Sequence, residues 1–384
     1  MGAKLLAAIE ALKKTPWVVL ALLFASLVGG LAQFTSAFKD LAGLVHPAKP
    51  DPRAELAKLG IPFTPAAMAK AAADGDARAV GLLLDGGMAA DADGATPPPL
   101  VVAAKGGFVD MARRLRDAGA KPAVPGDADT ALEAAVKAHH PEVVKLFLEK
   151  PLPAAAIRDA YIDAAVASEV TSLQLLAPRL ADPRATAHEA IAAILEQTPG
   201  RQLPMSVETS ELAAAHPGDL KIWYRDGSDH DPRDLAAIRA VLSLKPSLDA
   251  VDGNGQTLLT KAVGSDAPRV VAALLAAGAN PRVPALCQVH DAKALPLSCA
   301  VVRGTLIGMA STRALLAGKA PVNAPGPDGA TPLMLALGNG DKEVARVLVA
   351  AGADPNARDA KGRTAADYAR ARGNLPRGTQ SSIN

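Results

Sequence analysis

Aromatic side chains are scarce. Of 384 residues only six are Phe, three Tyr and two Trp. A core without rings has to be filled by small aliphatic groups on closely spaced helices, which argues against a sandwich or a barrel. Cysteine is nearly missing as well: Cys287 and Cys299 stand alone and form no C-x-x-C, which argues against a dithiol redox enzyme. No long block of one charge exists either. The 41 Lys and Arg nearly balance 39 Asp and Glu, for a net charge of +2. No basic run is interleaved with aromatics, so no nucleic-acid partner is expected.

Catalytic signatures are missing too. The chain has no G-x-x-x-x-G-K-[ST] phosphate loop and no G-x-S-x-G elbow. Gly253-Asn254-Gly255 lacks the third glycine of a dinucleotide fingerprint. His188-Glu189 begins a metalloprotease-like H-E-x-x-H, but Ala192 stands where the second ligand belongs. Asp226, Asp229, His230, Asp231 and Asp234 suggest a calcium loop. However, the EF-hand order needs a glycine at 231 and a glutamate at 237, and Ala237 stands at the latter. Asp231 before Pro232 reads more simply as a helix N-cap. His139-His140 are adjacent, a spacing poorly suited to one ion. The expectation is therefore no enzyme, no catalytic residues, no cofactor and no metal. The alternative is an enzyme or sensor whose active part is the irregular 183–234 region.

One long apolar run is present. Residues 17–34, WVVLALLFASLVGGLAQF, carry no charge. At roughly 1.5 Å per residue they come close to spanning a bilayer core, and extending the run to 37 improves the fit. Lys4, Lys13 and Lys14 precede it, and Trp17 sits where an interfacial aromatic belongs. A buried core helix is rarely this apolar all round. A cleaved signal peptide has a shorter lead, and the one passable cleavage site is Thr35-Ser36-Ala37. The reading is an uncleaved signal anchor at 17–37 after a basic segment at 1–16. The lysine bias puts the N-terminus in the cytoplasm, with Lys39, Asp40 and Lys49 beyond the span. The expectation is thus a single-pass protein of the inner (cell) membrane, its remaining residues periplasmic in a bacterium. Ala21, Ala25 and Gly29 fall on one face, as do Ser26 and Gly30, which suggests a weak homodimer through the span.

Beyond the span the chain repeats itself. Residues 331–353 read TPLMLALGNGDKEVARVLVAAGA, and Thr331 recurs as Thr364 after 33 residues. Thr331 can cap a helix, and Pro332 has no amide proton to waste. Leu333, Ala336 and Leu337 make one apolar face, and Val344, Val347 and Leu348 the stripe of a second helix. Gly352 supplies the left-handed residue that stops it. Asp354-Pro355-Asn356 then leads into an extended hairpin turning at Asp359-Ala360-Lys361-Gly362. The same frame fits residues 257–281, 130–148, 98–122 and 66–88, and Leu295-Pro296-Leu297 opens another copy.

This pattern resembles the ankyrin repeat, whose copies start T-P-L-x-x-A and end A-G-A-D-P-N. The resemblance implies an all-α ankyrin-repeat solenoid, helix-turn-helix repeats with β-hairpin fingers, preceded by one N-terminal transmembrane helix. The expected organisation is a tether at 38–60, repeats at 61–150, degenerate repeats at 151–250 with an insertion at 219–231, repeats at 251–374 and a disordered tail at 375–384. Within the weak stretch, 206–216 and 232–244 read as one helix pair split by the insertion. A separate small helical domain is the alternative for this region.

The family binds proteins through a concave face of fingers and first helices. Carried onto this chain, those positions are Lys105, Asp129, Lys137, Asn254, Gln256, Asp328, Asn339, Lys361 and Arg363. Their mixed signs suggest a polar protein surface. Trp223, Tyr224 and Arg225 in the insertion are residue types common at binding hot spots, and Trp223 could equally seal a gap between helices. Cys287 and Cys299 form a disulfide if the domain lies outside the cytoplasm, or else two buried thiols. The expected function is a membrane-tethered protein-binding scaffold or inhibitor.

Overall fold

A computed structural model of the chain describes residues 51–91, 97–122, 130–197, 232–287 and 290–373. Helix α1 (Pro52–Lys58) comes first. It is followed by the pairs α2 (Pro65–Ala73) with α3 (Ala77–Asp85), and α4 (Pro99–Lys105) with α5 (Val109–Asp117). Next come α6 (Ala131–Lys137) with α7 (Pro141–Phe147), and α8 (Ala154–Val166) with α9 (Val170–Leu176). Then α10 (Pro183–Gln197) pairs with α11 (Pro232–Leu242), and α12 (Leu258–Gly264) with α13 (Pro268–Ala276). A hairpin of β1 (Ala285–Cys287) and β2 (His290–Ala294) leads to α14 (Pro296–Val302), the single turn α15 (Gly304–Ile307) and α16 (Met309–Ala317). Helices α17 (Pro332–Asn339), α18 (Lys342–Ala350) and α19 (Ala365–Gly373) complete the described chain.

Each first helix contacts the first helix of the next pair, from α2 through α4, α6, α8, α10, α12, α14 and α17 to α19. The second helices make a parallel row from α3 to α18, with α1 laid against α3. Alanine makes this spacing work. Ala72, Ala103, Ala104, Ala135, Ala164, Ala190, Ala262, Ala300 and Ala336 are all buried along the first-helix row. Larger groups such as Met68, Leu115, Phe147, Tyr161 and Leu173 fill the layer between the rows.

Local chemistry sets the helix ends. Thr64, Thr130, Thr257 and Thr331 cap first helices by accepting from the amides of Ala67, Glu133, Thr260 and Met334. Asp182 caps α10 in the same way, accepting from Arg184 and Ala185. Pro141, Pro183, Pro232, Pro268, Pro296 and Pro332 each stand at the first helical position. Second helices close on left-handed residues, among them Gly278 (φ 101°) and Gly352 (φ 92°).

Three sequence expectations need revision or placement. Residues 52–58, within the expected tether, form α1: Leu56 is buried and Arg53 Nε donates to Gly86 O at 3.0 Å. Helix α11 packs against α10, and residues 206–216, expected to pair with it, lie outside the described residues. The last turn of α10 is fastened to the next repeat. Ser265 Oγ donates to Leu195 O at 3.0 Å, and Lys261 Nζ pairs with Glu196. His188 Nδ1 lies 2.7 Å from Ser247 O. Among the described residues no helix is long and apolar enough to cross a membrane; the 17–37 run and the 375–384 tail lie outside them.

Neighbouring fingers touch through their main chains. Ala360 N donates to Asp328 O at 3.2 Å, and Gly329 sits at φ 80° against that contact. A Cβ at Gly329 would come within 2.5 Å of Ala360 N. Gly329→Ala is therefore expected to part the two fingers and to cost about 1–2 kcal/mol, as left-handed strain does. Amide exchange at Ala360 reports the loss; unchanged protection there would contradict the packing described.

Candidate partner-binding surface

Three of the described fingers are turns closed by main-chain bonds and held by a carboxylate. In the finger before α12 Asp252 N donates to Gln256 O at 2.9 Å, and Gly255 N returns to Asp252 O at 2.9 Å. The Asp252 carboxylate accepts from Asn254 N (2.9 Å) and Gln256 N (2.8 Å), and its other oxygen meets Lys261 Nζ at 2.9 Å. Burial pushes the Asp252 pKa up, but the Gln256 amide and the Lys261 ammonium outweigh it and hold the carboxyl below its ordinary value. The next finger repeats the pattern with Gly326 N to Ala330 O at 2.8 Å and Ala330 N to Asp328 Oδ1 at 3.1 Å. The last one has Asp359 N to Arg363 O and Gly362 N to Asp359 O, both at 2.9 Å.

The fingers are also tied to each other. Leu286 N in β1 donates to Gly255 O at 2.8 Å, which joins the long hairpin to the finger before it. Asn280 N donates to Asp249 Oδ1, and Asp354 N to Asn323 Oδ1, both at 2.8 Å, linking successive repeats. Cys287 and Cys299 form a disulfide with Cα atoms 5.9 Å apart, joining β1 to α14.

On this frame Asn254, Asp328 and Lys361 are exposed at finger turns. Lys105 and Asn339 are exposed at the C-terminal ends of first helices. Asn339 Nδ2 reaches Val302 O at 3.4 Å, and the Lys105 carbonyl lies 3.1 Å from His140 Nε2. Gln256 is half-buried, its backbone closing the turn. Lys137 is half-exposed but engaged, 3.4 Å from Asp163 and 4.0 Å from Glu133. Asp129 and the Trp223, Tyr224, Arg225 group lie outside the described residues.

Arg363 is not an idle surface group. Its Nε donates to Asp359 Oδ2 at 2.8 Å, its Nη2 to Tyr368 Oη at 2.8 Å, and its guanidinium stacks 4.6 Å from the Tyr368 ring. Tyr368 Oη also donates to Asp359 at 2.9 Å. Burial pushes Asp359 up, yet the Arg363 amide, the guanidinium and the tyrosine bring it down to about 2. A depressed carboxyl stabilises the fold above its unfolded pKa, near 4, and that contribution is lost as pH falls toward about 2. The amide signals of residues 359–368 are expected to hold through pH 4 and shift only near 2. A transition at 4 would show that the network is not formed.

Acidic residues beside Lys137 went unnoticed in the sequence. Glu133 is raised by burial, with the charges of Asp163 and Asp159 adding to that shift. Asp159 and Asp163 are one turn apart on α8, an i, i+4 signal that was legible but easily passed over in an alanine-rich helix. The buried Lys261, with Glu196 and Asp252, was also unforeseen, because its two partners are 65 and nine residues away. His139 and His140 sit between α6 and α7: His139 Nδ1 lies 3.2 Å from Glu169, and His140 bridges to the preceding repeat. Among the described residues no group of three or more His, Cys, Asp or Glu is placed to hold a metal ion.

Two family models match this sequence. Ankyrin repeats in many copies match residues 315–369, and ankyrin repeats in three copies match residues 68–159. No curated protein sequence matches the chain. Ankyrin repeats are thus present in both halves, in a mostly helical fold that carries the same helix pairs between them. Proteins built of such repeats are generally non-enzymatic scaffolds that bind other proteins.

Proposed function

We propose that the chain is a membrane-tethered scaffold or inhibitor that binds a protein partner through its row of fingers, on the side of the membrane away from the cytoplasm. The observation that carries the binding reading is the finger row itself. Aspartates and main-chain bonds fix its backbone, so Asn254, Asp328 and Lys361 are presented on a pre-ordered frame at little entropic cost. Their mixed charge suits a polar protein surface. Residues 17–37 supply the tether by their length and lack of charge. Lys4, Lys13 and Lys14 before that run support a cytoplasmic N-terminus, and a disulfide is chemistry of an oxidising compartment.

The test combines fractionation with thiol labelling in cells. The full chain is expected to stay with membranes after an alkaline carbonate wash, and Cys287 and Cys299 to react with maleimide only after reduction. Recovery in the soluble fraction would remove the tether, and labelling without reductant would reverse the sidedness. For binding, Asn254→Glu combined with Lys361→Glu, whose side chains close no turn, is expected to abolish capture of the partner obtained with the parent chain, at unchanged helicity.

A further inference from the structure

The second-helix row, on the opposite side from the fingers' first helices, holds an open groove of about 530 Å³ between α11 and α13. Leu235 and Leu242 line the α11 wall, and Ala272, Ala273 and Ala276 the α13 side. Beyond Arg269 the α13 side presents only methyl groups, so an incoming helix can lie close to the backbone there. Arg239 and Arg269 stand on opposite walls, both exposed. Among the described residues neither guanidinium meets a hydrogen-bond or ion-pair partner.

Three other grooves of this row are closed by the chain itself. Between α3 and α5, Arg114 lies over Gly81, so that a Cβ there would be 2.7 Å from its Nη1. Between α5 and α7, Arg113 and Arg116 are answered by Glu149 at 3.7 and 2.9 Å, and Lys150 by Asp117 at 3.6 Å. Between α13 and α16, Leu275 lies against Gly318. The α11–α13 groove contrasts with these: its lining is largely apolar, and among the described residues nothing fills it and neither flanking cation has a counter-charge.

We propose that this groove seats an acidic amphipathic helix from a partner protein, its apolar stripe on the alanine side and its carboxylates against Arg239 and Arg269. A helix is the occupant whose apolar ridge matches a trough between two parallel helices. A second copy of the same face would set arginine against arginine. A bilayer surface calls for projecting large apolar groups, whereas the exposed residues of this trough are alanines and arginines.

The test uses the full chain in detergent micelles and a fluorescent peptide of about 18 residues, with leucines at i, i+3, i+4 and i+7 flanked by glutamates, beside a twin carrying lysines. The glutamate peptide is expected to bind, and added salt to weaken it. Arg239→Glu with Arg269→Glu is expected to cost at least about tenfold in affinity, and the lysine twin to bind no better than that. Ala272→Gln, at an exposed position that leaves folding intact, fills the floor and is expected to give a similar loss. Equal binding of both peptides, or equal binding by the variants, overturns the proposal. So does binding that appears only after Glu208→Lys and Glu211→Lys, since the chain's own insertion would then be the occupant. Failure of the glutamate peptide to bind overturns it as well.

Discussion

Phe147→Ala is expected to destabilise the array by about 3–5 kcal/mol, the largest effect of any single substitution considered for this chain. Phe147 closes α7 and is completely buried, in a core with few other rings. Helix α7 touches α5, α6 and α9, so the cavity opens at the junction of three repeats. Its neighbours are helices fixed by caps and alanine contacts, which leaves them little room to collapse inward. Because a repeat array is stabilised by nearest-neighbour interfaces, the loss stays local, and one unfolding transition is expected to become two. Circular dichroism in urea gives the total, and hydrogen exchange by mass spectrometry locates it. Val349→Ala is the control: that side chain is 53% exposed, and a surface change is expected to stay within about 0.5 kcal/mol. Equal shifts for the two variants would contradict the packing at α7.

Replacing both cysteines, Cys287→Ser with Cys299→Ser, is expected to cost about 3 kcal/mol. The bond closes a loop with a sequence separation of 12, which sets that figure in the chain-entropy description. The effect should concentrate where the bond acts. Without it β1 is held to the array by Leu286 N on Gly255 O and by its pairing with β2. Amide exchange is expected to rise at Leu286, while α2 to α7 stay protected. A reducing agent added to the parent chain is expected to reproduce the same pattern. A loss below about 0.5 kcal/mol would mean that the hairpin is held by packing alone.

The repeats were legible where local and global signals coincide. At 130–148, 257–281 and 331–353 a threonine cap, an alanine at the helix contact and a closing left-handed turn fall in one frame, and the structure builds helix pairs there. The frame blurs at α8 and α10, which run 13 and 15 residues against seven to nine in the other first helices. Pro153 and Asp182 replace the threonine caps there, so the start signal changes type. The partner of α10 could not be read because 34 residues separate it from α11, and only contact with α9 and α13 shows where α11 belongs. The binding surface was legible as positions but not as states. Asp328 and Lys361 are exposed as their places in the frame imply. Nothing in the sequence shows that Asp359 and Tyr368 occupy Arg363, because that network is an outcome of finger geometry.

The fastening of α10 has one more consequence. Lys261, Ser265 and His188 fix that helix through groups on α10, α12 and the chain leading into α12, and none of them belongs to residues 198–231. The stretch between α10 and α11 joins the end of a first helix to the start of a second, whereas every finger joins a second helix to the next first one. Variation in one place therefore need not disturb register in the other. Substitutions or insertions within 198–231 are expected to leave the α10–α12 fastening in place, and with it the register of the finger row proposed to bind a partner.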